Sequence, residues 1–442
     1  MRIRITICSI VLLAIIMIQS TSYRFCTYSF PSYNPEFPPP PGTPLSQIFK
    51  LSQNYPHSIP REEYPWTSIN FRTSPQKYAK AVLKYCLAGN IAIGFRVQKN
   101  TTRKWYHAPW LHDGDNGREW RHGLTRERVS PAGTLHPSQT SSTASWAVGF
   151  YNAPGGYTIR RIWPDCAGGP PDPSRANFPE GTVSFKLLFT TANKTQVPFL
   201  RNAFTWLANI RTSGSQRLDD SVRLLQIDIA VKDRRSPVGW VFGTFIYDGF
   251  MSGSTPWDRM RLVGLIWGND SAVTSHINDT GAFINSDLHQ TWINPAVISG
   301  PLPGARVYHL GLGGRLNGPI DNPISSCISC HGKAGVLNDP PPIPENRLGR
   351  NPRMVPSGTT VATYSLLQFG DYFGTNIPAG AANITYNCFI SGLESCSSPS
   401  PTHVFRKTDY SLQIAVGIRN YYASLPTVAG LQKMTFPEPP RQ

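Results

Sequence analysis

The run Cys327-Ile328-Ser329-Cys330-His331 places two thiols three positions apart and an imidazole directly after the second. Two cysteines with this gap can add across the two vinyl groups of one porphyrin from a single short turn. The adjacent histidine then falls under the iron as its proximal ligand. With 8 Cys and 10 His in 442 residues, random placement gives such a run in roughly three chains per thousand. The rival readings are a redox dithiol, half of a zinc site, or a disulfide that happens to precede a histidine. Zinc needs further Cys or His ligands close by, and the only cysteines downstream are the distant Cys388 and Cys396. The spacing therefore points to one covalent haem c on Cys327 and Cys330, with His331 on the iron.

Haem of this kind is attached outside the bacterial cytoplasmic membrane, and the N-terminus agrees. Arg2 and Arg4 precede a largely apolar stretch from Ile5 to Ile18, and Ser20-Thr21-Ser22 supplies small residues for cleavage. Residues 1–22 read as a signal peptide. The apolar run is about fourteen residues, short for a bilayer span. No later stretch is apolar enough for a transmembrane helix, so the expected product is exported and soluble, periplasmic or extracellular. Tyr23-Arg24-Phe25 before Cys26 is not a lipobox. Five sequons, at Asn100, Asn193, Asn269, Asn278 and Asn383, are about as many as chance supplies and do not discriminate between secretion routes.

The elements that must position the motif show a change of texture along the chain. Residues 23–65, with the run Pro38 to Pro41, read as a Pro-rich arm. Ser74-Pro75 opens a helix with Tyr78, Val82, Tyr85 and Cys86 on its apolar face, stopped by Gly89. Strand signals follow at Ile91 to Gln98, Ser145 to Tyr151, Tyr157 to Trp163, Thr182 to Thr190, Val222 to Val231, Gly239 to Tyr247 and Leu262 to Trp267. Asn152 to Gly156 reads as a hairpin loop between two of them. With 41 Pro, 37 Gly, 11 Trp, 18 Tyr and 21 Phe, loops and β-rich packing outweigh long helices. The expected fold is α+β and multidomain: an antiparallel β-sandwich or jelly roll over 66–300, then a small, mostly α domain over 301–442. Thr408-Asp409 would cap a last helix running to about Ser424, with Ile414, Ile418 and Tyr421 at helical spacing.

Cys327, Cys330, His331 and the terminal segment Tyr421-Tyr422-Ala423-Ser424-Leu425 resemble a monohaem c-type cytochrome domain. Most of the mature chain also resembles a group of bacterial exported proteins that end in one such domain. The carrying stretches are Trp105 to Trp110, Trp146 to Tyr157, Gly239 to Asp248 and Leu316-Asn317-Gly318-Pro319. The first resemblance implies electron transfer; the second implies no defined activity. Cytochrome c domains usually offer a distal Met before the last helix. Here Met354 lies early, in a Pro-flanked loop, and is the distal candidate. His403, Met434 and an open sixth position are the alternatives, and the choice sets whether the iron carries electrons or admits small ligands.

Other constellations are weaker. His107, His112, His122 and His136 match no metal-ligand spacing and read as packed histidines. Asp113-Gly114-Asp115-Asn116-Gly117 resembles the start of a calcium loop, but Leu124 stands where the closing Glu belongs. An Asx-rich turn is the simpler reading. Trp105, Trp110 and Trp120 read as core before they read as a sugar platform. Cys388 and Cys396 are close enough to close a small disulfide loop. The formal charge of +16 suits an anionic surface, an acidic glycan or an acidic redox partner. Arg residues form no cluster, so nucleic acid is not indicated. The leading expectation is an exported electron-transfer protein with an unknown redox partner. The alternatives are a haem peroxidase or oxidase whose β domain binds substrate, and a haem-free secreted binding protein.

Overall fold

The computed structural model describes residues 29–164, 169–211, 216–275, 284–299, 310–332, 334–337, 383–385 and 404–424. Residues 1–22, Cys26, Cys166, Met354, Cys388, Cys396, His403 and Met434 lie outside the described residues.

The core of the chain is a large antiparallel sheet of eight described strands. They are β1 (Thr125–Arg126), β2 (Ser145–Tyr151), β3 (Val183–Thr190), β4 (Thr205–Ile210), β5 (Leu218–Lys232), β6 (Trp240–Tyr247), β7 (Met260–Ile266) and β8 (Thr291–Ile293). The hydrogen-bonded order is β1-β2-β3-β5-β6-β7-β8, with β4 also pairing β5. Five of these strands stand where short runs rich in β-branched or aromatic residues place them. β2 and β6 are buried along their whole length, so the middle of the sheet is covered on both faces.

One cover is helix α1 (Pro75–Leu87), which ends as expected before Gly89, a residue with positive φ. Phe71, just before it, packs on Tyr78 and on Trp267. The other cover comes from the far end of the chain. Side chains alternate along a strand, so Trp240, Phe242 and Thr244 of β6 share one face. Register puts Lys232, Ala230 and Asp228 of β5 opposite them, and Lys186 of β3 opposite Asp228. Onto this face pack α4 (Cys327–His331) and α5 (Leu412–Ala423). Gly149 of β2 belongs to the same platform: a Cβ there would collide with Gln413 of α5. The polar alternation Gln226, Asp228, Lys232 reads like a solvent face, yet Gln226 and Lys232 are buried under these later segments.

Four local expectations change. Tyr157 to Trp163 is not a strand, and Asn152 to Gly156 is not a hairpin loop. Helix α2 (Ala153–Ile162) occupies both, with Asn152 as N-cap and Pro154 in the first turn. Asn followed closely by Pro is a helix-start pattern. The two glycines are kept because Gly156 abuts the Tyr106 ring and Gly155 abuts Tyr151. Ile91 to Gln98 is a series of turns, since Gly94 and Phe95 both take left-handed backbone. The last helix exists, but its N-cap is Ser411, whose side chain accepts from Ile414 N. Asp409 is engaged elsewhere.

The described part of 301–442 is mixed rather than helical throughout. It has a three-stranded antiparallel sheet, β9 (Gly335–Leu337), β10 (Asn383–Thr385) and β11 (Val404–Lys407), ordered β10-β11-β9. A short helix, α3 (Pro295–Ile298), precedes the expected boundary near residue 300. Contacts cross that boundary: Ile320 N donates to Gln226 Oε1 at 3.2 Å, and Tyr151 OH and Ser411 Oγ share a hydrogen bond of 2.7 Å. Ile328, Ile414 and Ile418 belong to the same apolar core as the sheet. Among the described residues, no helix is long and apolar enough to cross a membrane.

Candidate functional site

α4 is five residues long, too short to persist on propensity alone, and its ends are held by hydrogen bonds. Ser326 and Ser329 form a reciprocal cap, each side chain accepting from the other's backbone N–H at 2.9 Å. Ser326 Oγ donates to the buried Asn269 Oδ1 at 2.6 Å. Cys327 N donates to Leu316 O at 3.0 Å. At the other end Lys407 Nζ donates to Gly332 O at 2.9 Å, and Ala334 N to His331 O at 3.0 Å. The motif helix is thus tied to β7's flank, to β11 and to the loop before it.

His331 is turned toward Tyr410. Its Nδ1 lies 2.8 Å from the Tyr410 carbonyl. A carbonyl only accepts, so the Nδ1–H donates and the lone pair sits on Nε2. Burial pushes the His331 pKa down to about 4, which keeps the ring neutral at neutral pH. Phe242 packs beside it, with ring centroids 4.8 Å apart.

Cys327 faces the polar part of the platform. Its Sγ is 4.0 Å from Thr244 Oγ1, and that hydroxyl donates to Asp228 Oδ1 at 2.9 Å. Gln226 Nε2 bridges Asp228 (2.8 Å) and Asp321 (3.3 Å). Lys186 stands in the same row, with its Nζ 2.7 Å from Glu127. Burial, and then the charge of Asp321, raise the Asp228 pKa to about 7. Burial also raises Asp321. The Cys327 thiol is pushed well up by burial, then by Asp228 and Asp321. Cys86, Cys327 and Cys330 are thiols in the structure.

The other constellations resolve into packing. Ser52 N donates to His107 Nδ1 at 2.9 Å, and His122 stacks on Trp206. His112 lies against Asp113, and His136 hydrogen-bonds Ser138. No group of three or more candidate metal ligands occurs among the described residues. In the Asp113 to Gly117 turn, Arg217 donates to the carbonyls of Asp115 (2.8 Å) and Gly117 (2.7 Å), and Arg211 pairs with the Asp115 carboxylate. The Asp115 carboxylate, which a calcium loop would use at its third position, is thus paired with a guanidinium. Trp105 and Trp120 are buried. Two sequon asparagines, Asn100 and Asn269, are also buried.

The structure thus brings Cys327, Cys330 and His331 together on one helix. Sequence reasoning missed their partners: Thr244, Asp228, Asp321, Asp409 and Tyr410. The only available signal was the polar alternation of β5, which by itself reads as exposure. Comparison with protein-family models, curated proteins and solved structures gave no match to this chain.

Proposed function

We propose that this chain is an exported c-type cytochrome that passes single electrons to a partner protein. One haem is held covalently by Cys327 and Cys330, with His331 as proximal ligand. In this reading, residues 301–442 are a cytochrome c-like domain docked on an antiparallel β domain. Met354 remains the distal candidate.

The observation that carries the proposal is the His331–Tyr410 hydrogen bond. It leaves Nε2 as the ligating nitrogen of a neutral ring, and a partner on the other nitrogen is how metal-binding histidines are oriented. The surroundings of Cys327 point the same way. Zinc binding and thiol redox chemistry both need a thiolate, which burial and two nearby carboxyls oppose. A thioether is neutral and suffers no such penalty. When bound, haem supplies one-electron Fe(II)/Fe(III) chemistry. The chain's own residues hold the sulfurs, fix the imidazole and, through Phe242 and the covering segments, keep water from the ring.

The test is full-length protein from a host that matures c-type haem. Haem stain that survives a denaturing gel, with the haemochrome spectrum of two thioethers, is the expected result. Absence of stain refutes the reading. A high-spin spectrum with peroxide reactivity would shift it to a haem enzyme.

A further inference from the structure

The turn that presents the Tyr410 carbonyl is conformationally costly. Asp409 and Tyr410 are consecutive non-glycine residues with φ of +43° and +67°, and left-handed backbone persists at such residues only where the surroundings hold it. The holding comes from Asp409. Its carboxylate accepts from Lys232 Nζ at 2.7 and 2.6 Å, from Trp240 Nε1 at 2.9 Å and from Phe178 N at 2.8 Å. Asp409 and Lys232 are 8% and 7% exposed. On either side the turn is also fixed: Thr408 N donates to Ala334 O at 3.1 Å, and Ser411 caps α5 while bonded to Tyr151.

Two of the side-chain donors belong to the large sheet, Lys232 at the end of β5 and Trp240 at the start of β6. They face each other across the ladder. The sheet therefore reaches His331 through one carboxylate and one carbonyl. A carboxylate needed only as partner for Lys232 could sit on relaxed backbone. Here the ion pair holds two left-handed residues, and the consequence of their conformation is that the Tyr410 carbonyl points at Nδ1 of His331.

We propose that Asp409 is a positioning residue: anchored by Lys232 and Trp240, it holds the Tyr410 carbonyl on His331 and so fixes the tautomer and orientation of the iron-ligating imidazole. This assigns the large sheet a role in setting the axial ligand, and it rests on the haem reading for its function though not for its geometry.

The experiment compares the full chain as wild type, D409A, D409N, W240F and a control on the exposed side of α1, K80M, which leaves the Asp409 anchor and the motif helix intact. In protein made without haem, with 15N-labelled histidine, wild-type His331 should be held as the Nδ1–H tautomer. The Nδ1–H to Nε2–H ratio should fall about tenfold in D409A, the size expected when one buried hydrogen bond is lost. D409N and W240F, which keep part of the anchor, should give smaller falls, and K80M none. In haem-loaded protein the midpoint potential should rise in the same order, because an imidazole without its Nδ1 acceptor donates less to Fe(III). If D409A does not fold, the graded response of D409N and W240F carries the test. Unchanged tautomer ratio and potential in D409A, D409N and W240F, or an equal change in K80M, would overturn the proposal. A graded tautomer shift in a chain that never takes up haem would keep the anchor and remove the cytochrome reading.

Discussion

Thr244 stands between Asp228 and Cys327, giving its proton to the carboxylate at 2.9 Å and leaving its oxygen 4.0 Å from the sulfur. A β-strand hydroxyl thus links the motif cysteine to Asp228 on the sheet and, through Gln226, to Asp321 in the loop before α4, and both partners can be tested.

The carboxyl pair makes stability depend on pH. Asp228 has a folded-state pKa of about 7, against an unfolded value near 3.9. A carboxyl raised in the fold holds its proton more tightly there. Its favourable contribution is complete below the unfolded value and is lost as pH rises through about 7. Asp228→Asn should remove this dependence, so the variant gains on wild type, by on the order of 2 kcal/mol, between pH 5 and pH 8. Denaturant midpoints at the two pH values measure it. A difference between variant and wild type that stays constant with pH would refute the assignment.

The same acids should protect Cys327. In protein made without haem, alkylation of Cys327 at pH 8 should be slow, because the reactive thiolate is disfavoured. Asp228→Asn combined with Asp321→Asn should speed it by about tenfold, the effect of one pKa unit. Mass spectrometry of the modified peptide reads the rate. Equal rates would mean that the sulfur does not sense the pair.

His331→Ala removes the Nδ1–H donor and leaves the Tyr410 carbonyl without it. The expected cost is about 1–3 kcal/mol, together with loss of the native axial-ligand spectrum in haem-loaded protein. A visible spectrum identical to that of wild type would show that another residue ligates the iron.

The docking of residues 310–332 and 407–424 on the sheet makes a further expectation. Proteolytic nicking between residues 300 and 309 should give two pieces that stay together on size exclusion, held by Lys232–Asp409, Gln226–Ile320 and the shared apolar core. Fragment 66–300 made alone should be poorly soluble, because Phe242 and the apolar side chains around it lose their cover. Nicked pieces that separate without denaturant would show two independent units.

The strands of the sheet were legible because β3, β5, β6 and β7 carry short runs of β-branched and aromatic residues, alternating with polar ones in parts of β3 and β5. α1 was legible from Ser74-Pro75 and Gly89. β4 was not, since Thr205 to Ile210 is a half-exposed edge whose pattern is weak. α2 was misread because Gly155 and Gly156 argue for a turn unless one knows that Tyr106 and Tyr151 press on them. The motif itself was plain from Cys and His spacing. Its environment was not, because Asp228 and Thr244 meet Cys327, and Lys232 and Trp240 meet the Asp409–Tyr410 turn, only across long stretches of chain. Polar residues alternating on β5 carry no mark of what later covers them.

Asn269 donates no glycan site once the chain is folded. Its side-chain oxygen anchors Ser326, the cap of α4, and the residue is 1% exposed. Asn100 is likewise 1% exposed, with Thr102 N and Arg103 N both donating to its side chain. Oligosaccharide transferred to either asparagine during synthesis would have to be buried, or the surrounding loops would have to stay open. The chain's own packing thus selects among production hosts. A secretory pathway that glycosylates nascent chains should yield modified, misassembled protein, and substituting Ser271 or Thr102 so that the acceptor motif is lost should recover it.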